Sequence, residues 1–159
     1  MKVLYFGIFD PMYARNWVLI NGLRSNGIEV AELRRIPARW CLLKLLLDYL
    51  RLRPQFDVMI VGFPGQEVMF LARLLTRKPI IFDVFTSHYG GYILDRKKAS
   101  PHSIRAQYFR FLDTWSCKLA NTVLLDTQAH INFFIREYGL PLEKFRRVWI
   151  GANEEIFHV

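Results

Sequence analysis

Six short apolar runs, separated by helix-length segments, constrain this chain more than any other feature. Val3 to Phe6, Ile28 to Leu33, Val58 to Val61, Ile80 to Phe82, Thr122 to Leu125 and Arg147 to Ile150 each read as a strand. Between them, apolar residues recur at helical spacing, from Tyr13 to Asn26, Arg39 to Arg53, Gln66 to Thr76, Ser100 to Ala120 and Thr127 to Tyr138. Strict alternation of strand and helix predicts an α/β fold, a Rossmann-like open parallel sheet with helices on both faces.

Local signals set the predicted boundaries. Gly27 and Gly139 stop helices, and Pro141 prevents continuation. Ser100-Pro101 reads as a cap and first turn. Ile104, Tyr108, Leu112, Trp115 and Leu119 are expected on one inner face, and Ile131, Phe134, Ile135 and Tyr138 on another. The segment from Arg39 to Arg53 is apolar around most of its circumference, which predicts core packing and a Lys44–Asp48 pair. Trp40, with Arg39, Arg51 and Arg53, also suits an anionic membrane surface.

Composition narrows the partners. The 159 residues are 52% hydrophobic, enough for one domain with a real core. Twenty-two Lys and Arg against 14 Asp and Glu give +8, which favours anionic ligands. No zinc-finger spacing or RNA-binding signature accompanies that charge, so no nucleic acid is expected. Cys41 and Cys117 lie far apart in helical patterns and are expected to be reduced. The N-terminus runs straight into a strand with no signal-peptide pattern, and the leucine-rich run is too charged to span a bilayer. The expectation is a cytoplasmic protein, peripheral at a membrane.

In open α/β sheets, ligands sit beyond the carboxyl ends of the strands. The stretch Lys78 to Tyr92 supplies such an end. Asp83 closes the strand, Thr86, Ser87, His88 and Tyr89 follow in a row, and Gly90 and Gly91 allow close backbone approach. The alternative is a capped turn with a solvated histidine. The first strand-helix loop adds Asp10, Arg15 and Asn16, with Arg15 able to reach a phosphate. Gly65 precedes the third helix, whose free amides can hold an anion. The fingerprint Gly-x-Gly-x-x-Gly, a P-loop and a Gly-x-Ser-x-Gly elbow are all missing.

Three quoted stretches carry a resemblance: Ala120-Asn-Thr-Val-Leu-Leu-Asp-Thr-Gln-Ala-His130, Glu137-Tyr-Gly-Leu-Pro-Leu-Glu-Lys-Phe145 and Val148-Trp-Ile-Gly-Ala-Asn-Glu-Glu-Ile-Phe157. In this order they resemble the N-terminal domain of family 4 glycosyltransferases, with Asp57 to Gly62 and Lys78 to Tyr92 adding to the match. The resemblance implies one half of a GT-B fold. Residues 1–151 would form the acceptor-binding domain and 152–159 the start of an interdomain hinge, including Glu154 and Glu155. It implies retaining transfer from a nucleotide-sugar, with a sugar or lipid-linked acceptor and no metal. The donor would be bound mainly by a C-terminal domain that this sequence does not contain, leaving the chain inactive alone. The alternative is a noncatalytic membrane-recruiting or scaffold subunit of a split transferase.

By that resemblance His88 and Asp83 are the catalytic candidates. Ser87, Tyr89, Gly90, Asp10, Arg15, Asn16 and Gly65 are the substrate-binding ones. Tyr89 stands where the family often has Asp after His, and Tyr-Ala-Arg-Asn replaces its glycine-rich first turn.

Overall fold

The computed structural model describes residues 1–152. Six parallel strands form one sheet in the order β2-β1-β3-β4-β5-β6: β1 is Lys2–Ile8, β2 Glu29–Arg35, β3 Val58–Val61, β4 Ile80–Phe85, β5 Thr122–Leu125 and β6 Phe145–Arg147. Five helices connect them: α1 Ala14–Ser25, α2 Cys41–Leu52, α3 Val68–Leu75, α4 Ile104–Leu119 and α5 Gln128–Tyr138. The expected α/β architecture is present.

Side-chain alternation divides the sheet into two faces. Leu4, Phe6, Met59, Val61, Ile80, Phe82 and Val123 pack with buried residues of α2, α3, α4 and α5. Val3, Tyr5 and Ile60 point the other way and meet Ile20 of α1. Each fully buried large apolar side chain contributes roughly 1.5–3 kcal/mol of transfer free energy.

Four local expectations are corrected. The last strand is Phe145–Arg147 rather than Arg147–Ile150, because Phe145 supplies the buried side chain, against Phe134, while Trp149 and Ile150 are exposed. Helix α4 is capped by Ser103, whose side chain accepts from Ala106 N; Ser100 instead closes a preceding turn. Its buried face is Ala106, Leu112, Asp113, Ser116 and Cys117, so Ile104, Tyr108 and Trp115 face outward. Helix α2 buries only Leu45 completely, and its Asp48 pairs with Arg35 rather than Lys44.

Cys117 is buried and Cys41 half-buried, both as free thiols. No helix among the described residues is long and apolar enough to cross a membrane, and no cluster of metal-ligating side chains occurs among them. The expected hinge, with Glu154 and Glu155, lies almost wholly outside the described residues.

Candidate functional site

The carboxyl end of β4 is built by a change of hand. Phe85 takes a left-handed conformation, φ +55°, where the register with β5 shifts. Such a conformation costs a non-glycine residue about 1 kcal/mol, so the surroundings must hold it. The Phe85 ring packs edge-on against Phe63 at 5.1 Å, and the Arg15 guanidinium lies 5.4 Å from its centre. The chain then passes through Thr86 to His88 and winds into a π-helical turn, Tyr89–Asp95. The expected open loop is therefore a helical turn, with Gly90 and Gly91 inside it.

Asp113 of α4 fixes this turn from below. Its fully buried carboxylate accepts from the Ser87 hydroxyl at 2.7 Å, His88 N at 3.0 Å and Tyr89 N at 2.9 Å. The Tyr138 hydroxyl of α5 lies 2.9 Å from the same carboxylate and 2.7 Å from Ser87 Oγ. Ser87 Oγ also accepts from Gly90 N at 2.7 Å. Burial, reinforced by the Asp113 charge, pushes the Tyr138 phenol far up, so it stays protonated as a donor.

A second buried network lies under the first loop. Arg15 meets Asp83 with two nitrogens, Nε at 3.0 Å and Nη2 at 2.8 Å, and its Nη1 donates to Val148 O at 2.7 Å. Burial raises the Asp83 carboxyl, and Arg15 opposes that shift. Asn16 is fully buried: it accepts from the Tyr5 hydroxyl and donates to the carbonyls of Asp10 and Phe63. Asp10 closes its own turn by accepting from Met12 N.

These networks redistribute the expected site residues. Asp83 is taken by Arg15 and does not hydrogen-bond His88. The carboxylate that ties down the His88 turn is Asp113, which lies 25 residues further on and was not anticipated. Arg15 is only 3% exposed, its guanidinium occupied, so it is not poised for a phosphate. Tyr89 is buried, with the Arg110 guanidinium 5.0 Å from its ring centre. Gly65 is needed for space: a β-carbon there would stand 2.6 Å from Gly62 O and 2.7 Å from Val61 Cγ1.

His88 is different. Its Nδ1 and the Oε1 of Gln66 are the two buried side-chain polar atoms without a hydrogen-bond partner among the described residues. Both residues line one cavity of about 340 Å³, together with Ile8, Pro37, Cys41, Pro64, Glu67 and Tyr92. Gln66 is 1% exposed and held by its amide, which donates to Thr86 O at 3.1 Å. Leaving such atoms unpaired costs on the order of 1–3 kcal/mol each. Gln66 Oε1 accepts only, whereas an imidazole nitrogen donates or accepts according to tautomer.

Two aromatic rings flank His88, and cations lie over those rings. The His88 ring packs edge-on against Tyr92 and Phe109, at 5.9 and 5.7 Å. Arg96 and Lys98 lie over Tyr92, and Arg105 over Phe109, all within 5.6 Å of the ring centres. On the other side of the π-helical turn, Thr86, Ser87, Gly90, Arg96, His130 and Phe133 line a second cavity of about 360 Å³. There His130 Nδ1 stands 2.6 Å from the buried carboxylate of Asp126. The turn is thus a partition between two clefts at the carboxyl ends of the strands.

No protein-family model matches this sequence, and no curated protein matches it. A solved structure does: Anabaena Alr3699/HepE in complex with UDP, at 17% identity and a TM-score of 0.54. The match covers 98% of this chain and 46% of that one. This chain therefore spans under half the length of that protein. The likeness is one of fold: a Rossmann-like parallel sheet with helices on both faces, consistent with one half of a GT-B architecture.

Proposed function

We propose that this chain is the acceptor-binding half of a GT-B glycosyltransferase. It would hold a sugar or lipid-linked acceptor during retaining transfer from a nucleotide-sugar. The observation that carries this reading is a cavity of about 340 Å³ at the carboxyl ends of β1, β3 and β4, lined by His88 and Gln66, the two residues that each carry a buried polar atom without a partner among the described residues. A ligand hydroxyl entering this cavity would meet both residues.

In this reading His88 contacts the sugar. Asp83 acts through Arg15 as a positioning residue, because their pair anchors Val148 and Trp149 at the exit of the sheet. Ser87 holds the turn that presents His88. Arg96, Lys98 and Arg105 give the neighbourhood a positive field suited to an acceptor phosphate. The donor nucleotide would belong to a second domain facing this one. No metal is needed by the proposed chemistry.

A nuclear magnetic resonance titration of the chain with a panel of hexose 1-phosphates, and separately with UDP, tests this. A hexose phosphate that shifts the His88 ring and Gln66 amide signals, with no response to UDP, is the expected result. UDP binding through those same groups, or silence towards every sugar, would reject it. The second reading, a noncatalytic membrane-recruiting subunit, draws on the exposed apolar side of α2. It predicts that His88 and Gln66 are indifferent to sugars.

A further inference from the structure

We propose that the outer surface of the α2-α3-α4 layer is a docking plane for an anionic lipid bilayer. On α2, Trp40, Leu43, Leu47 and Leu50 are 62, 47, 56 and 54% exposed, at spacings of three and four residues. That spacing makes one stripe along the helix. On α4, Tyr108, Phe111 and Trp115 repeat the pattern at 48, 49 and 45%. Leu74 of α3, between them, is 82% exposed.

The three helices present these residues on the same side. Leu45 of α2, Met69 and Ala72 of α3, and Cys117 of α4 all enter one core cluster against the sheet. The exposed stripes therefore face away from it. Neighbouring helices are also tied together: Tyr49 Oη donates to Leu75 O, and the Phe70 ring stacks on Phe111 at 5.9 Å. Exposed apolar residues of three neighbouring helices thus lie on the side of the layer away from the sheet, with Glu67 accepting from the Tyr108 hydroxyl among them.

Charge selects the occupant. Arg39, Lys44, Arg51 and Arg53 flank the α2 stripe, and Arg105 and Lys118 flank that of α4. Two of these cations lie over the tryptophans, Arg39 at 5.5 Å from Trp40 and Lys118 at 4.9 Å from Trp115. The acid of α2, Asp48, is neutralised by Arg35. A second copy of this surface would bring like charges together. Anionic headgroups complement the cations, while leucines and aromatic rings enter the acyl boundary. No described helix is long enough to span, so the chain lies on the bilayer.

The plane ends beside the candidate site. Cys41, one residue after Trp40, lines the His88 cavity with Pro37 and Ala38. Resting on the acceptor-binding reading, a lipid-linked acceptor would reach His88 along the membrane without leaving it.

Flotation of the chain with phosphatidylcholine vesicles, with or without phosphatidylglycerol, tests docking with no sugar present. Its failure would thus leave the sugar-site reading standing. Binding to the anionic vesicles only, weakened by high salt, is expected. Leu47→Glu and Phe111→Glu, on different helices, should each reduce it about tenfold or more. Trp149→Glu, an equally exposed aromatic outside this layer, should not. Absence from both vesicle types, or equal binding by all variants, would overturn the proposal. So would a dimer in light scattering that Leu47→Glu dissolves while no vesicle binding occurs, since a second copy would then be the occupant.

Discussion

Arg15 and Asp83, 68 residues apart in sequence, close on each other as a two-pronged ion pair that is 3% and 0% exposed. The pair joins the first helix, the end of β4 and the strand exit at Val148. Buried ion pairs contribute little net stability relative to apolar replacements, but breaking one leaves an uncompensated charge. Asp83→Asn should therefore cost about 3–5 kcal/mol, read in chemical denaturation. The double variant Arg15→Met/Asp83→Leu should recover much of that loss. A single variant as stable as the parent would contradict this account of the pair.

Asp113 should be similarly costly to change. Its two oxygens accept from a hydroxyl and two backbone amides, with Tyr138 alongside. An asparagine has one acceptor oxygen, and its amide would face a donor. Asp113→Asn should destabilise the protein by roughly 3 kcal/mol. Hydrogen exchange should show lost protection across the π-helical turn before the sheet. Unchanged protection there would remove Asp113 from its assigned role.

Burial also sets an alkaline limit. The Tyr5 and Tyr138 phenols are raised from 10.0 and the Cys117 thiol from 9.0, each chiefly by burial. A raised folded value means that only the unfolded chain releases these protons just above its own pKa. Their stabilising contribution is complete below about pH 9 and declines above it. Stability measured against pH should fall from pH 9–10 upward, and Tyr138→Phe should flatten the decline. A decline as steep in the variant would assign it to other groups.

The fold was legible in the sequence because buried parallel strands leave continuous apolar runs, and glycines mark the helix ends. The face of α4 was not. Its buried side is mostly small and polar, with Ala106, Asp113, Ser116 and Cys117 beside Leu112, while Tyr108, Phe111 and Trp115 are exposed. Hydrophobic periodicity therefore placed Leu112 and Leu119 correctly but Ile104, Tyr108 and Trp115 on the wrong side, and an Asp113 in mid-helix was the available signal. His88 was singled out by its place after a strand. Its partner in the cavity, Gln66, comes from another loop, and only the packing of β3 beside β4 brings them together. Asp83 looked like the companion of His88 because they are near in sequence, but strand alternation turns it to the Arg15 side.

An orphaned polar group kept for a ligand should be dispensable for folding. His88→Phe and Gln66→Leu remove the two unpaired atoms while filling similar space. His88→Phe should fold with stability within about 1 kcal/mol of the parent, or higher, whereas Gln66→Leu, which also deletes the amide donor to Thr86 O, should lose about 1 kcal/mol while staying folded. Glu67, which lines the same cavity but is exposed, should tolerate Gln without a change in stability.

The most direct measurement is calorimetric titration of the parent, His88→Phe and Gln66→Leu with one hexose phosphate ligand, each protein first shown by thermal unfolding to be folded. The cavity account predicts that both variants stay folded and lose the ligand, with affinity reduced about tenfold or more. Variants that bind as the parent does, or that lose the ligand only because they unfold, would contradict it.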